Sequence, residues 1–516
     1  MAVDKVIATN VTALKGKYGD KYPRVKAAID GLIKADLARG LKTMLIALDS
    51  PSGMKRVKGK PVSKTSDERG AKAAIDAIYK HYKPDYVLLL GAPDVVPHIQ
   101  LTNPMTGTPD DDDDPSVPSD VPYACDAAWS RRAQNFVGPT RVVGRLPDVT
   151  GANDPAYLVK LLTAAAGYTP RDRSDYSGHF AITAKVWTKS TIESVTNLFG
   201  PGSTVLTSPP RGPKWSKSQM APRLHFINCH GDTVSSTFFG EFPTGKFFDA
   251  HDAAHLPSRV TKGSVIAAEC CYGAELYDPS DAAGQAGIAN TYLGEGAHAF
   301  FGSTNIAYGP SEGQGQADLI CQYFIESVQK GASLGRAALE ARQRFVAQFS
   351  HVDPSDLKTA VQFVLLGDPS LQPIKATAHA FARTKAVERV TRSGTFQPET
   401  RAFRRERLVR TGSNLSRTLG TAVPTKTRVP PGVRRFLTQA VRESGVRKPT
   451  FNSYSVSFPA APAAPEVVKL RTKQRQRSMY VALGSRASVH GRSAVTAIIV
   501  TVEAGRIVHV RRVHSR

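Results

Sequence analysis

No stretch of this chain approaches the run of about 18 uncharged apolar residues that a membrane-spanning helix needs. The opening residues, MAVDKVIATN, hold neither an apolar core nor a small-residue cleavage site, so no secretion leader is expected and the cytoplasm is the expected compartment. Cysteine is scarce: Cys125, Cys229, Cys270, Cys271 and Cys321 are odd in number and two are adjacent, which excludes a disulfide framework and suits a reducing compartment. No G-x-x-x-x-G-K-[ST] run is present, so a P-loop NTPase is excluded, and no internal repeat is found. Aromatics are thin in the basic C-terminal part, where Phe403, Phe436 and Phe451 lie too far apart to form a base-stacking platform.

What the chain does have is an uneven charge. Residues 376–516 carry 28 Lys and Arg against 6 Asp and Glu, a net of +22, whereas residues 1–375 carry 40 against 38, a net of +2. This places a boundary near 375. A segment so basic suits an anionic partner such as nucleic acid or an acidic protein. Upstream of the boundary, short apolar runs at 42–48, 85–90, 141–146, 180–187, 203–206, 224–229, 264–270 and 297–301 alternate with helical patterns at 68–82, 154–166, 191–199, 283–293, 316–330 and 333–348. Buried strands alternating with helices predict an α/β fold with a mostly parallel sheet flanked by helices. Downstream, Arg, Pro and Thr dominate 376–465, which reads as a basic linker with a short helix at 433–443. Alternating runs at 478–483, 494–502 and 507–513 predict a small β-rich segment over 466–516. The expected division is 1–80 as an N-terminal α/β part of the catalytic unit, 81–375 as its main body, 376–465 as linker and 466–516 as the β-rich end.

Two apolar runs stop at reactive residues. One ends Phe226-Ile227-Asn228-Cys229-His230-Gly231-Asp232, the other Ala267-Ala268-Glu269-Cys270-Cys271-Tyr272-Gly273. If both are parallel strands, His230 and Cys271 meet at one sheet edge. A thiol is a weak nucleophile at its ordinary pKa and needs an adjacent imidazole, which can also protonate a leaving amine. The N–H groups of Gly231 and Cys271 are the candidate donors to an oxyanion. Cys270 is the alternative nucleophile, since strand neighbours face opposite ways. A zinc site on Cys229, His230, Cys270 and Cys271 lacks the usual ligand spacing. Cys125 and Cys321 read as core. Five aspartates, 110–114, lie between prolines in a loop; Asp111, Asp112 and Asp113 are candidate hard-oxygen ligands for calcium.

These two strand ends resemble the His-Gly and Ala-Cys ends of the caspase, legumain, clostripain and gingipain peptidases. The gingipain branch is favoured by Tyr86-Val87-Leu88-Leu89-Leu90-Gly91 with Val96-Pro97, by Ser119-Asp120-Val121-Pro122-Tyr123 followed by Val142-Val143-Gly144-Arg145-Leu146-Pro147, and by Leu365-Leu366-Gly367-Asp368-Pro369-Ser370-Leu371. The resemblance spans roughly 80–375. It implies a caspase-like sheet and a cysteine endopeptidase acting on protein or peptide substrates, with Cys271 as nucleophile and His230 as acid–base. It also implies cleavage after Arg or Lys; no cofactor is required for the chemistry, and calcium is the one candidate, since that family binds it. The family's histidine-orienting carboxylate precedes its "GR" strand, where Pro139-Thr140-Arg141 offers none. Asp120, Asp126, Asp232 and Glu269 are the candidates for that role or for the specificity pocket, together with Gly302-Ser303-Thr304-Asn305. The Arg-rich stretch from 376 is a candidate for self-cleavage. A degenerate peptidase that binds an anionic partner through its basic C-terminal region is the alternative function.

Overall fold

The computed structural model describes residues 3–105, 112–375, 401–459, 477–486 and 494–516. In chain order the strands are β1 (Lys5–Thr9), β2 (Thr43–Ala47), β3 (Tyr86–Leu90), β4 (Ile99–Leu101), β5 (Val117–Ser119), β6 (Val143–Leu146), β7 (His179–Ala184) and β8 (Leu206–Ser208). Then follow β9 (Leu224–Asn228), β10 (Thr237–Glu241), β11 (Phe247–Asp252), β12 (Val265–Ala268), β13 (Ala299–Ser303), β14 (Tyr308–Gly309), β15 (His351–Val352) and β16 (Phe363–Leu366). The C-terminal region adds β17 (Gly420–Thr425), β18 (Arg447–Ser457), β19 (Arg477–Arg486), β20 (Ala494–Glu503) and β21 (Arg506–Ser515).

Ten strands form the main sheet in the order β2-β1-β3-β6-β16-β13-β12-β9-β7-β8. Every neighbouring pair is parallel except β13 with β16. The sheet is therefore two parallel halves joined antiparallel at one seam. The runs VIAA of β12 and AFFGS of β13 are buried at every position, because helices cover both faces and no alternation is required. Burial of each large side chain here, such as Phe300 or Ile266, contributes about 1.5–3 kcal/mol. The helix Glu68–Tyr82 starts where Asp67 accepts from the Gly70 N–H, satisfying one of the unpaired donors of a helix start.

The C-terminal region departs from the linker reading. Within 401–457 lie the helix Arg401–Thr418, β17, the helix Pro431–Glu443 and β18; residues 376–400 and 460–476 lie outside the described residues. β17 to β21 form a seven-stranded sheet, order β14-β21-β20-β19-β18-β17-β15, with β14 and β15 at its two ends. Pro424 and Pro449 hide the alternation of β17 and β18 in the sequence. A proline is tolerated on β17 because β15 pairs with it only at Gly420 and Thr421. Val433, Leu437, Ala440 and Val441 of the amphipathic helix pack on Tyr480, Ala482, Ile498 and Val500 of the sheet. The region docks on the main body: Gln343 Nε2 donates to the Leu408 carbonyl at 2.9 Å, and Tyr454 Oη to that of Pro104 at 3.2 Å. Several of its cations are used internally, as in Arg405 with Asp85, Arg477 with Glu503, Arg511 with Asp353 and Asp356, and Arg516 with Asp318. No helix among the described residues is long and apolar enough to cross a membrane.

Candidate active site

β9 and β12 are parallel neighbours with Ile227 beside Ala268. His230 and Cys271 follow these paired residues by the same number of positions, so they come off adjacent strand tips. The close approach has a local cause: a Cβ on Gly231 would stand 1.7 Å from the Cys271 carbonyl oxygen, so only glycine fits there. After Cys271 the chain turns sharply through Tyr272, whose φ of 54° lies in the left-handed region. Tyr272 Oη donates to Asp114 at 2.6 Å, which holds the turn.

The histidine is oriented by a residue that the sequence reading did not single out. The His230 backbone pairs with Phe239 of β10. Two residues further along the same strand face, Glu241 accepts from His230 Nε2 at 2.8 Å. Glu241 is buried, and the imidazole is packed between the rings of Trp187 and Phe247, at 4.2 and 4.6 Å between centroids. A carboxylate on Nε2 fixes the tautomer and leaves Nδ1 as the nitrogen for proton exchange. The signal was the hairpin TFFGEFPTGKFF after the His-Gly end. Once Phe239 is set opposite His230, position 241 falls on the histidine's side.

The Cys271 sulfur lies 3.2 Å from the Ala307 N–H and 3.5 Å from its carbonyl. Burial pushes the thiol up to about 12, with the Ala307 hydrogen bond opposing the rise. Cys270 points elsewhere, with its sulfur toward the Ile227 carbonyl, and burial holds its thiol well above the ordinary value.

The cleft beside this pair contains Arg516, the residue that follows β21. Gly231 N–H and Cys271 N–H both donate to the carbonyl oxygen of Arg516, at 3.3 and 3.1 Å. The Arg516 N–H donates to the Ala307 carbonyl at 2.9 Å. Its guanidinium Nη2 donates to both Asp318 oxygens, at 2.8 and 3.0 Å, and to the Pro310 carbonyl at 2.8 Å. The group lies over the Trp187 ring, 4.5 Å from its centroid. Glu269 stands behind Asp318. Burial, reinforced by the Asp318 charge, pushes the Glu269 carboxyl well above its ordinary value, while the Arg516 charge opposes the rise. A Cβ on Gly309 would come within 2.3 Å of Nη2, so this glycine keeps the pocket open.

The other candidates are elsewhere. Asp120 is paired with Arg145 at 2.5 Å and His98 at 2.9 Å. Burial would raise Asp120, but the Arg145 guanidinium, with the His98 ring beside it, outweighs burial and holds the carboxyl well below its usual range. Asp126 pairs with Arg141 at 2.7 Å. Asp232 accepts from the Thr233 N–H. Asp120 and Asp126 are thus committed to these arginines, and the carboxylate on His230 Nε2 is that of Glu241. Glu269 reaches the pocket but not the imidazole. Ser303 donates to the Cys270 carbonyl at 2.9 Å and so supports the turn at Cys270 and Cys271. Asp112, read as a calcium ligand, accepts from Lys358, Asn103 and Tyr308. Lys358 bridges Asp112 and Asp114, so the cation these carboxylates hold is an ammonium. Asp113 is exposed, and Asp111 lies outside the described residues. Among the described residues no group of three or more His, Cys, Asp or Glu could hold a metal ion.

Against known families, residues 225–374 match the model of Peptidase family C25. This segment is similar to the gingipain-type cysteine peptidases. The C25 match runs from β9 to just past β16 and contains His230, Glu241, Cys271 and Asp318. No curated protein matches the chain. Among solved structures, one titled "Structure of Protease" is 13% identical, covering 99% of this chain and 97% of that one with a TM-score of 0.45. The Saccharomyces cerevisiae separase–securin complex is 15% identical over 47% of this chain and 14% of that one, with a TM-score of 0.29. Neither superposition is close enough to carry a functional argument.

Proposed function

We propose that the chain is a cysteine endopeptidase that hydrolyses the bond after arginine, with Cys271 as nucleophile and His230 as acid–base. One observation carries this reading: an arginine carbonyl lies on the Gly231 and Cys271 N–H groups while its side chain fills a pocket closed by Asp318. In the reaction, His230 Nδ1 takes the thiol proton as sulfur attacks the substrate carbonyl carbon. The oxygen gains charge against the two N–H donors. The same proton then passes to the leaving amine, and water cleaves the thioester. Glu241 is a positioning residue that stabilises the imidazolium while it exists.

Arginine is favoured over lysine by shape. A lysine ammonium is a compact point charge without the planar face that lies on Trp187 here. Self-processing belongs to the same proposal, since Arg383, Arg389 and Arg392 fall in the stretch between the C25 segment and the helix Arg401–Thr418. The test is turnover of matched arginyl and lysyl fluorogenic peptides by the chain and by Cys271→Ala. Arginyl turnover that vanishes in Cys271→Ala supports the reading. Turnover retained by that variant, or none by the parent chain under any condition, contradicts it.

A further inference from the structure

The occupant of the cleft is part of the chain itself, and its placement is that of a bound peptide on the acyl side of a scissile bond. β21 runs antiparallel to β14, with Ser515 opposite Tyr308 and His514 opposite Gly309. This is strand addition, the mode in which extended peptides bind an exposed sheet edge. Arg516 continues it with its own N–H and carbonyl on Ala307, Gly231 and Cys271, and only 1% of the residue is exposed. The strand is secured before it reaches the cleft. Arg511 Nη1 donates to Asp353 at 2.7 Å and Asp356 at 2.8 Å, the two carboxylates that cap the helix Pro354–Gln362. Val513 is fully buried, and Ser515 Oγ accepts from the Val495 N–H at 2.9 Å.

The Gly231 and Cys271 N–H groups and the Ala307 carbonyl, which a substrate backbone would use, are therefore taken. We infer that the end of β21, with Arg516 in the Asp318 pocket, is a built-in inhibitor that must leave the cleft before an arginine-containing polypeptide can enter. The inference rests on the arginine-directed reading of the cleft. Two further observations agree with it. Cys271 is only 3% exposed under this strand, and burial is the main cause of its raised pKa; both change once the strand lifts. A tethered strand also competes at an effective concentration of the order of millimolar, well above most free substrates.

The test uses the full chain and two readouts. In a Cys271→Ala background, a fluorescent acetyl-Val-His-Ser-Arg peptide is titrated with and without Arg516→Gln. Removing the arginine anchor is expected to tighten peptide binding by about tenfold or more, as an intramolecular competitor at millimolar effective concentration loses its hold; equal affinity in the two proteins overturns the inference. In the Cys271 protein, Arg516→Gln is expected to lower KM for an arginyl substrate by a similar factor with little change in kcat, and Arg516→Lys to fall between. An unchanged KM overturns the inference while leaving the hydrolase reading intact. Tighter peptide binding without turnover in any variant supports the occupied-cleft inference and sinks the hydrolase reading instead. Because Arg516 follows the last residue of β21, its replacement leaves the strand pairing of the sheet in place, which circular dichroism checks.

Discussion

The two halves of the main sheet share an architecture and treat charge in opposite ways. In the half built on β2, β1, β3, β6 and β16, buried charges find partners within that half and its cover. Lys5 lies between Asp36 and Asp368, Lys17 pairs with Asp148, and Arg145 meets Asp120 with His98. In the half built on β13, β12, β9, β7 and β8, one buried acidic site is left to be completed from outside it. Asp318 and the Glu269 behind it receive their cation from Arg516, at the far end of β21. A closed set of charges stabilises; an open set binds. The contrast explains why the "SD..Y…GR.P" residues, which the resemblance made candidates, hold the fold, while a less conspicuous helix-start aspartate faces the cleft.

That contrast can be broken or sharpened in order of expected effect. Cys271→Ala should lower kcat by about a thousandfold or more with the melting temperature unchanged, read by peptide turnover and calorimetry. Asp318→Asn should lower kcat/KM for arginyl peptides by about a hundredfold, the scale of losing a buried charge-assisted partner, and change cleavage of a neutral-side-chain peptide far less. Glu241→Gln should lower kcat by about ten- to a hundredfold at nearly constant KM, as expected of a residue acting through the imidazole. Asp120→Asn should leave the kcat of folded protein alone. It strands the fully buried Arg145 guanidinium, which costs about 3–5 kcal/mol of stability in chemical denaturation. If Asp120→Asn cut kcat with stability intact, the division between the halves would be wrong.

The alkylation of Cys271 gives a pH test with a definite sign. A thiol held near 12 is neutral at pH 8, so iodoacetamide should react slowly in the closed chain and faster as pH climbs toward that value. In Arg516→Gln the rate curve should move to lower pH, because solvent reaches the sulfur.

How much of this was legible in the sequence depends on range. β9 and β12 could be read because each is a short apolar run that stops at a reactive residue beside glycine, and their adjacency followed from parallel pairing. Gly231 and Cys271 as paired donors followed from the same placement. Glu241 was hidden because its role depends on a hairpin folding back on His230, a tertiary event with no local mark. Asp318 read as one more polar position on an amphipathic helix. Arg516 was one cation among 28 in a region whose prolines and arginines masked β17 and β18. The candidates that failed, Asp120 and Asp126, were chosen by sequence proximity to family motifs. Charge alone could not show that Arg145 and Arg141 already neutralise them.

The most direct measurement is mass spectrometry of a mixed peptide library after digestion by the parent chain, by Asp318→Asn and by Cys271→Ala. The account predicts new C-termini that are overwhelmingly arginine with the parent chain, far fewer with Asp318→Asn and none with Cys271→Ala. Cuts spread over unrelated residues, or arginine cuts that persist without Cys271, would contradict it.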